Sequence, residues 1–150
     1  MTLFEVIRAA EAAAARQPSV NMVVRNDIFR LNTIQDAKYG VFAWTQGQHQ
    51  GNLDGSVIIY QFTFFYVDRL TSDKSNEVEV QSVGVETLTN ILRSLDDMGV
   101  YLNGSYTLQP FNQRFLDECA GVFTNVRLEV PVGSVCAEDF PDTVDGLIIR

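Results

Sequence analysis

The side chains best suited to chemistry are few, and their spacing argues against a reaction centre. The one histidine, His49, stands in the run Gln46-Gly47-Gln48-His49-Gln50-Gly51 with no cysteine or acid at ligand spacing, so no metal site is expected there. Cys119 directly follows the acidic pair Asp117-Glu118, which opposes thiolate formation, and it reads as a packed core thiol. Adjacent acids recur at Asp96-Asp97 and Glu138-Asp139, but sequence neighbours on turns and helix ends are ordinarily solvated and do not make the paired carboxylates of a glycosidase. No serine sits in a nucleophile elbow. Gly40, Gly47, Gly51 and Gly55 neither join a strand to a helix nor precede Lys-Ser or Lys-Thr, so no phosphate cradle is expected. Catalytic, cofactor-binding and metal-ligating residues are therefore expected to be none, and the chain is read as a non-enzyme whose work is assembly or binding.

The elements that must position any such residues centre on Ser56 to Leu95. In Val57 to Asp68, alternation puts Ile58, Tyr60, Phe62, Phe64 and Tyr66 on one face, and Val57, Ile59, Gln61, Thr63, Phe65 and Val67 on the other. The aromatic face needs cover, and helices are expected on it. Asp68 to Asn76 is dense in residues that bond their own backbone and should end the strand. Val78, Val85, Leu88, Ile91, Leu92 and Leu95 then mark the apolar face of a helix, closed by Met98 and Gly99. Val83 and Gly84 weaken its early part.

Upstream, Thr2-Leu3-Phe4-Glu5 matches a capping box. Leu3, Val6, Ile7, Ala10, Ala13 and Ala14 follow at helical spacing until Pro18 stops the helix by Gln17. Val20 to Asp27 is a first strand or an extended connection. Tyr39 to Thr45 reads as a strand, and the polar stretch 46–55 as the loop of a hairpin that returns through 57–68; a loop longer than its turn requires is a candidate contact surface. Further strands are expected at Tyr106 to Gln109, ending at Pro110, and at Val122 to Pro131, burying Val126, Leu128 and Val130, with a bend over Phe111 to Gly121 between them. The expected fold is α+β: a mostly antiparallel sheet of about four strands with a long hairpin (39–68), packed against two helices (about 3–17 and 76–98). Residues 1–132 read as one domain and 133–150 as a C-terminal arm that needs a surface to lie on.

Composition agrees with a folded chain: 150 residues, 46% hydrophobic and 20% charged. Its net charge of −8 belongs to the later part, since residues 1–70 carry six acids and six bases and residues 71–150 carry thirteen acids and five bases. With only two lysines, a phosphate-gripping groove is not expected, whereas an acidic surface would let DNA pass without sticking. Solubility alone is the plainer use of that charge. No membrane span and no secretory leader are expected, and Cys119 and Cys136, though able to pair in principle, are expected to stay reduced.

Three segments carry a resemblance. Val24-Arg25-Asn26-Asp27-Ile28-Phe29-Arg30-Leu31-Asn32, Phe65-Tyr66-Val67-Asp68-Arg69-Leu70-Thr71-Ser72-Asp73, and Phe115 to Val130 with its Ala120-Gly121-Val122 core resemble small neck and tail structural proteins of Bacteroides-infecting tailed phages, including the crAss-like group. The plan of helix, long hairpin, helix and closing strand is similar to that of tail-terminator and head-completion proteins. The resemblance implies a virion protein of the neck or tail that passes through the host cytoplasm during assembly. It would form a homo-oligomeric ring of six or twelve copies between portal and tail, touch neighbouring portal, neck or tail proteins, and surround genome DNA without binding it specifically. The acidic C-terminal tail has no counterpart in that family. The alternative expectation is a small cytosolic protein-binding or regulatory domain that uses the 46–55 loop as its contact surface.

Overall fold

The structure, a computed structural model, describes residues 2–34, 36–52, 55–102, 105–114, 118–131 and 148–149. Its first helix, α1 (Leu3–Ala15), begins where the capping box places it. The Thr2 hydroxyl accepts the Glu5 N–H at 3.2 Å, and the Thr2 N–H donates to the Glu5 carboxylate at 2.6 Å. The helix ends at Arg16, ahead of Pro18. Strand β1 (Met22–Arg25) follows, so the first extended segment is a strand. A 3-10 helix, Ile28–Thr33, comes next, started by Asp27, whose side chain accepts the Phe29 N–H at 2.9 Å.

The hairpin consists of β2 (Val41–Gln46), a two-residue β3 (Gln50–Gly51) and the long β4 (Val57–Arg69). The helix α2 (Glu77–Asp97) is followed by β5 (Tyr101–Leu102), β6 (Gln109–Arg114), β7 (Glu118–Pro131) and β8 (Ile148–Ile149). Six strands lie in the row β5-β7-β4-β2-β1-β8, with β3 paired to β4 and β6 paired to β7. The pairings of β4 with β2, β3 and β7, and of β7 with β5 and β6, are antiparallel. Those of β1 with β2 and β8 are parallel. The class is thus α+β with a mostly antiparallel open sheet. The sheet has more strands than the expected four or so, because β3, β5 and β8 are two-residue additions too short to leave a periodic trace.

Each face of the sheet has its own core. On the helix side, Tyr60, Phe62, Phe64 and Tyr66 of β4 pack with Phe42 and Trp44 of β2 beneath Val6, Ala9, Ala10 and Ala13 of α1 and Leu88, Ile91, Leu92 and Leu95 of α2. The expected covering of the aromatic face is found. The rings meet tilted, stacked or edge-on at centroid distances of 5.4–6.1 Å, arrangements that add about 0.5–1.5 kcal/mol per pair to area burial. On the other side, the 3-10 helix lays Ile28 and Leu31 over Met22, Val24, Val41, Ala43, Val67 and Cys119. The Cys119 thiol is a buried core group, as its acidic neighbours suggested.

Three expectations for the second half need correction. The phase of α2 is set by Val80, Gly84, Thr87, Leu88, Ile91, Leu92 and Leu95, which leaves Val78 77% and Val85 42% exposed. Those two valines sit about 100° around the helix from the buried stripe, at 100° per residue. Gly84 is an approach point: a Cβ there would lie 3.0 Å from both Tyr66 Cδ1 and Val122 Cγ2, so the absent side chain lets the helix settle on β4 and β7. Gly99, by contrast, has φ +86° and terminates α2 in the left-handed conformation expected of it. The second correction concerns Pro110, which was expected to end a strand at Tyr106 to Gln109 but lies inside β6. Among the described residues β6 pairs only with β7, and such an edge tolerates a missing N–H. The expected bend over 111–121 is therefore β6 together with the start of β7; 115–117 lie outside the described residues.

Candidate functional site

Residues 46–55 were the leading candidate for a contact surface, and their first half turns back onto the sheet. The β2–β4 ladder runs to Gln46 opposite Phe62; the Gly47 N–H then donates to the Gln61 carbonyl at 2.7 Å. The Gln61 N–H donates to His49 Nδ1 at 3.2 Å, so an imidazole takes the place of a strand carbonyl. Because Nδ1 accepts, the neutral ring carries its proton on Nε2, which lies 3.0 Å from Gln46 Oε1. The ring packs against Tyr60 and Phe62 at 5.3 and 5.7 Å. Gln50 and Gly51 resume pairing, opposite Ile59 and Ile58. The expected ten-residue loop is thereby shortened to the tip beyond Gly51, of which 53–54 lie outside the described residues.

The turn between β4 and α2 is held by its own side chains, as its composition suggested. Asn76 leaves the end of α2 uncapped and instead accepts the Thr71 N–H at 2.9 Å and donates to the Arg69 carbonyl at 3.2 Å. Asp73 accepts the Thr71 hydroxyl at 2.7 Å and the Ser75 N–H at 3.1 Å, and these bonds hold its carboxyl down to about 2. Beside this turn Asp68, Asn76, Glu79, Val80 and Val83 line an open cleft of about 320 Å³. Its lining offers two carboxylates and an amide and no thiol, hydroxyl or imidazole. Behind it, burial and then the charge of Asp68 push the Tyr66 phenol well above its ordinary value. Among the described residues no three His, Cys, Asp or Glu side chains converge to hold a metal ion.

Sequence reasoning missed a buried charge with three hydrogen bonds. Glu11 is 1% exposed, set between alanines on the inner face of α1. Its Oε1 accepts Arg25 Nε at 2.8 Å and Trp44 Nε1 at 3.2 Å, and its Oε2 accepts Arg25 Nη2 at 2.6 Å. That hydrogen bond, opposed by desolvation, raises the Arg25 guanidinium further. The available signal was a lone acid at helical spacing from Ile7 and Ala14. The network ties α1 to β1 and β2, and its only exposed group is the Arg25 side chain at 45%.

The sheet face opposite the helices is covered unevenly. Phe65, Phe111 and Phe123 form a half-buried aromatic group there at 5.9–6.3 Å. Beyond it runs a polar row in which Thr63 donates to Asn125 at 2.6 Å and Arg127 to Gln50 at 3.3 Å. The C-terminal arm, the second candidate, lies outside the described residues except Ile148–Ile149, which pairs with Met22 and Val23 of β1. No described helix is long and apolar enough to cross a membrane. No protein-family model matches this chain, and no curated protein sequence matches it.

Proposed function

We propose that the chain is a structural virion protein of a tailed phage. In this reading it is a tail-terminator-like, ring-forming subunit at the head-to-tail connection that contacts portal, neck or tail neighbours and surrounds the DNA channel. The observation that carries the reading is the convergence of the three segments on which the phage resemblance rests. Val24, Ile28 and Leu31 from the first, Val67 with Phe65 packed alongside from the second, and Cys119 from the third share the core opposite the helices. The resemblance is thus carried by segments that pack into one unit. Two further features suit the task. The exposed residues of α2 include Glu79, Glu86, Asp96 and Asp97 against Arg93, a surface that repels a polyanion sliding past it. The sheet is open, and strand edges are where one subunit completes the next in a head-to-tail ring.

The alternative, a cytosolic domain that holds one partner through 46–55, draws less support because residues 47–51 are bound back to β4. The test is negative-stain microscopy with light scattering on the purified chain, alone and mixed with a tailed-phage portal protein. Closed rings of uniform copy number, free or seated on the portal, are the expected result. A chain that stays monomeric and is absent from purified particles overturns the proposal.

A further inference from the structure

Two surfaces on opposite sides of the sheet are less polar than an outer surface requires. One is the outward face of α2. Ser82 stands about 200° around the helix from the buried Val80 and Gly84, and so points away from the sheet. Its neighbours on that face are Val78 and Glu79 in the turn before it and Val85 and Glu86 in the turn after. All five are exposed. A solvent-facing helix surface is ordinarily polar throughout, whereas this one carries an apolar stripe, Val78 and Val85, flanked by two carboxylates.

The other surface is the sheet face opposite the helices. The 3-10 helix packs over its β1–β2 side. Further along β4 and β7 stand Ile59, Thr63 and Phe65, with Phe123 and Asn125 beside Phe65 and Thr63 in register and Arg127 next on β7. None of these six is buried: Asn125 and Arg127 are exposed, and the other four are half-buried. From Ile59 to Phe65 and from Phe123 to Glu129, the only charges on this face are Arg127 and Glu129, and Arg127 is the more exposed of the two. The face is thus electrically neutral on a chain of net charge −8.

We infer that these surfaces are the two halves of one contact between copies of this chain. The Val78–Val85 stripe of one copy lies on the Ile59, Thr63, Phe65 and Phe123 surface of the next, with Glu79 and Glu86 turned towards Arg127. The inference rests on the ring proposed above and names its interface. The occupant is a second copy because each surface fits the other better than it fits itself. Two α2 faces would set Glu79 and Glu86 against their like, whereas the open face meets valine with apolar groups and offers an exposed guanidinium to the carboxylates. A helix laid on this sheet repeats the packing already present on its other face. Since the two surfaces lie on opposite sides of the subunit, the contact is head-to-tail, the kind from which rings close. Asp96 and Asp97, ~15 Å beyond Glu86 along α2, stay outside the contact and keep their acidic surface.

The test uses the full-length chain in two forms, each with one surface blocked. Val78→Asp with Val85→Asp puts carboxylates into the stripe, and Asn125→Glu with Arg127→Glu puts them on the open face; all four positions are exposed. Urea unfolding followed by Trp44 checks that each form folds, and Val78→Asp or Arg127→Glu alone replaces a pair that does not. Assembly is read by light scattering and microscopy under the conditions that give wild-type rings. Each blocked form should need ~10-fold more protein or greater to assemble, because like charges then face one another. An equal mixture of the two should give a dimer that grows no further, since one intact stripe meets one intact face. Rings from either blocked form at the wild-type concentration, or a mixture that stays monomeric, overturn this interface and leave the ring proposal standing. A wild-type chain that never self-associates overturns both.

Discussion

The two ends of the Glu11–Arg25 ion pair differ in burial, and cutting each end should cost a different amount. Glu11 is 1% exposed, whereas the Arg25 side chain is 45% exposed. In Glu11→Ala the guanidinium loses two bonds of 2.8 and 2.6 Å but swings into water, and the Trp44 N–H loses its 3.2 Å partner. Two or three lost bonds, one leaving a buried donor, amount to about 2–3 kcal/mol. In Arg25→Ala a carboxylate stays behind in the core with only the indole N–H, and breaking a buried pair from the exposed end costs about 3–5 kcal/mol. The double variant removes the stranded charge and should be more stable than Arg25→Ala alone, a coupling of at least ~1 kcal/mol. Urea unfolding followed by Trp44, the only tryptophan, reports on the network itself. Equal losses from the two single variants, or additive losses in the double, would refute the reasoning.

Other perturbations test separate parts of the fold. Asp73 has its carboxyl lowered from 3.8 to about 2, so its contribution to the β4–α2 turn is complete above pH 4 and disappears as pH falls towards 2; amide exchange at Ser75, compared with Asp73→Asn, should follow that window. Gly84→Leu gains helix propensity but meets Tyr66 and Val122, and a net loss of about 2 kcal/mol, or ~4–8 °C in Tm, is expected; an unchanged Tm removes the close approach from the account. His49→Ala strips the Gln61 N–H of its acceptor and should speed exchange of that amide about fivefold or more, for a lost bond of ~1 kcal/mol; in the native protein, nitrogen shifts should place the imidazole proton on Nε2.

Much of the scaffold was legible in the residues. The alternation in β4, the capping box at Thr2, the left-handed stop at Gly99 and the apolar positions Val126, Leu128 and Val130 all rest on interactions within a few residues, and each is found in place. Where the reading failed, a distant partner decided the outcome. Pro110 suits a strand because, among the described residues, β6 has a neighbour on one side only. The 46–55 stretch looked like a loop because nothing local announces that His49 will stand in for a carbonyl opposite Gln61. Val78 and Val85 fit a helical period, but the stripe that meets the sheet is centred on Gly84 and Leu88, where the missing side chain of Gly84 lets the helix approach Tyr66 and Val122.

The sequence by itself determined the α+β class, the two helices and the long aromatic strand, since period and capping chemistry act over one or two turns of chain. Tertiary structure alone decided which charge is buried, how β1 and β8 join the sheet, and which face of α2 turns inward. Those outcomes depend on groups brought together from opposite ends of the chain, such as Glu11 with Trp44 and Met22 with Ile148, and no local pattern encodes the free energy of such a meeting.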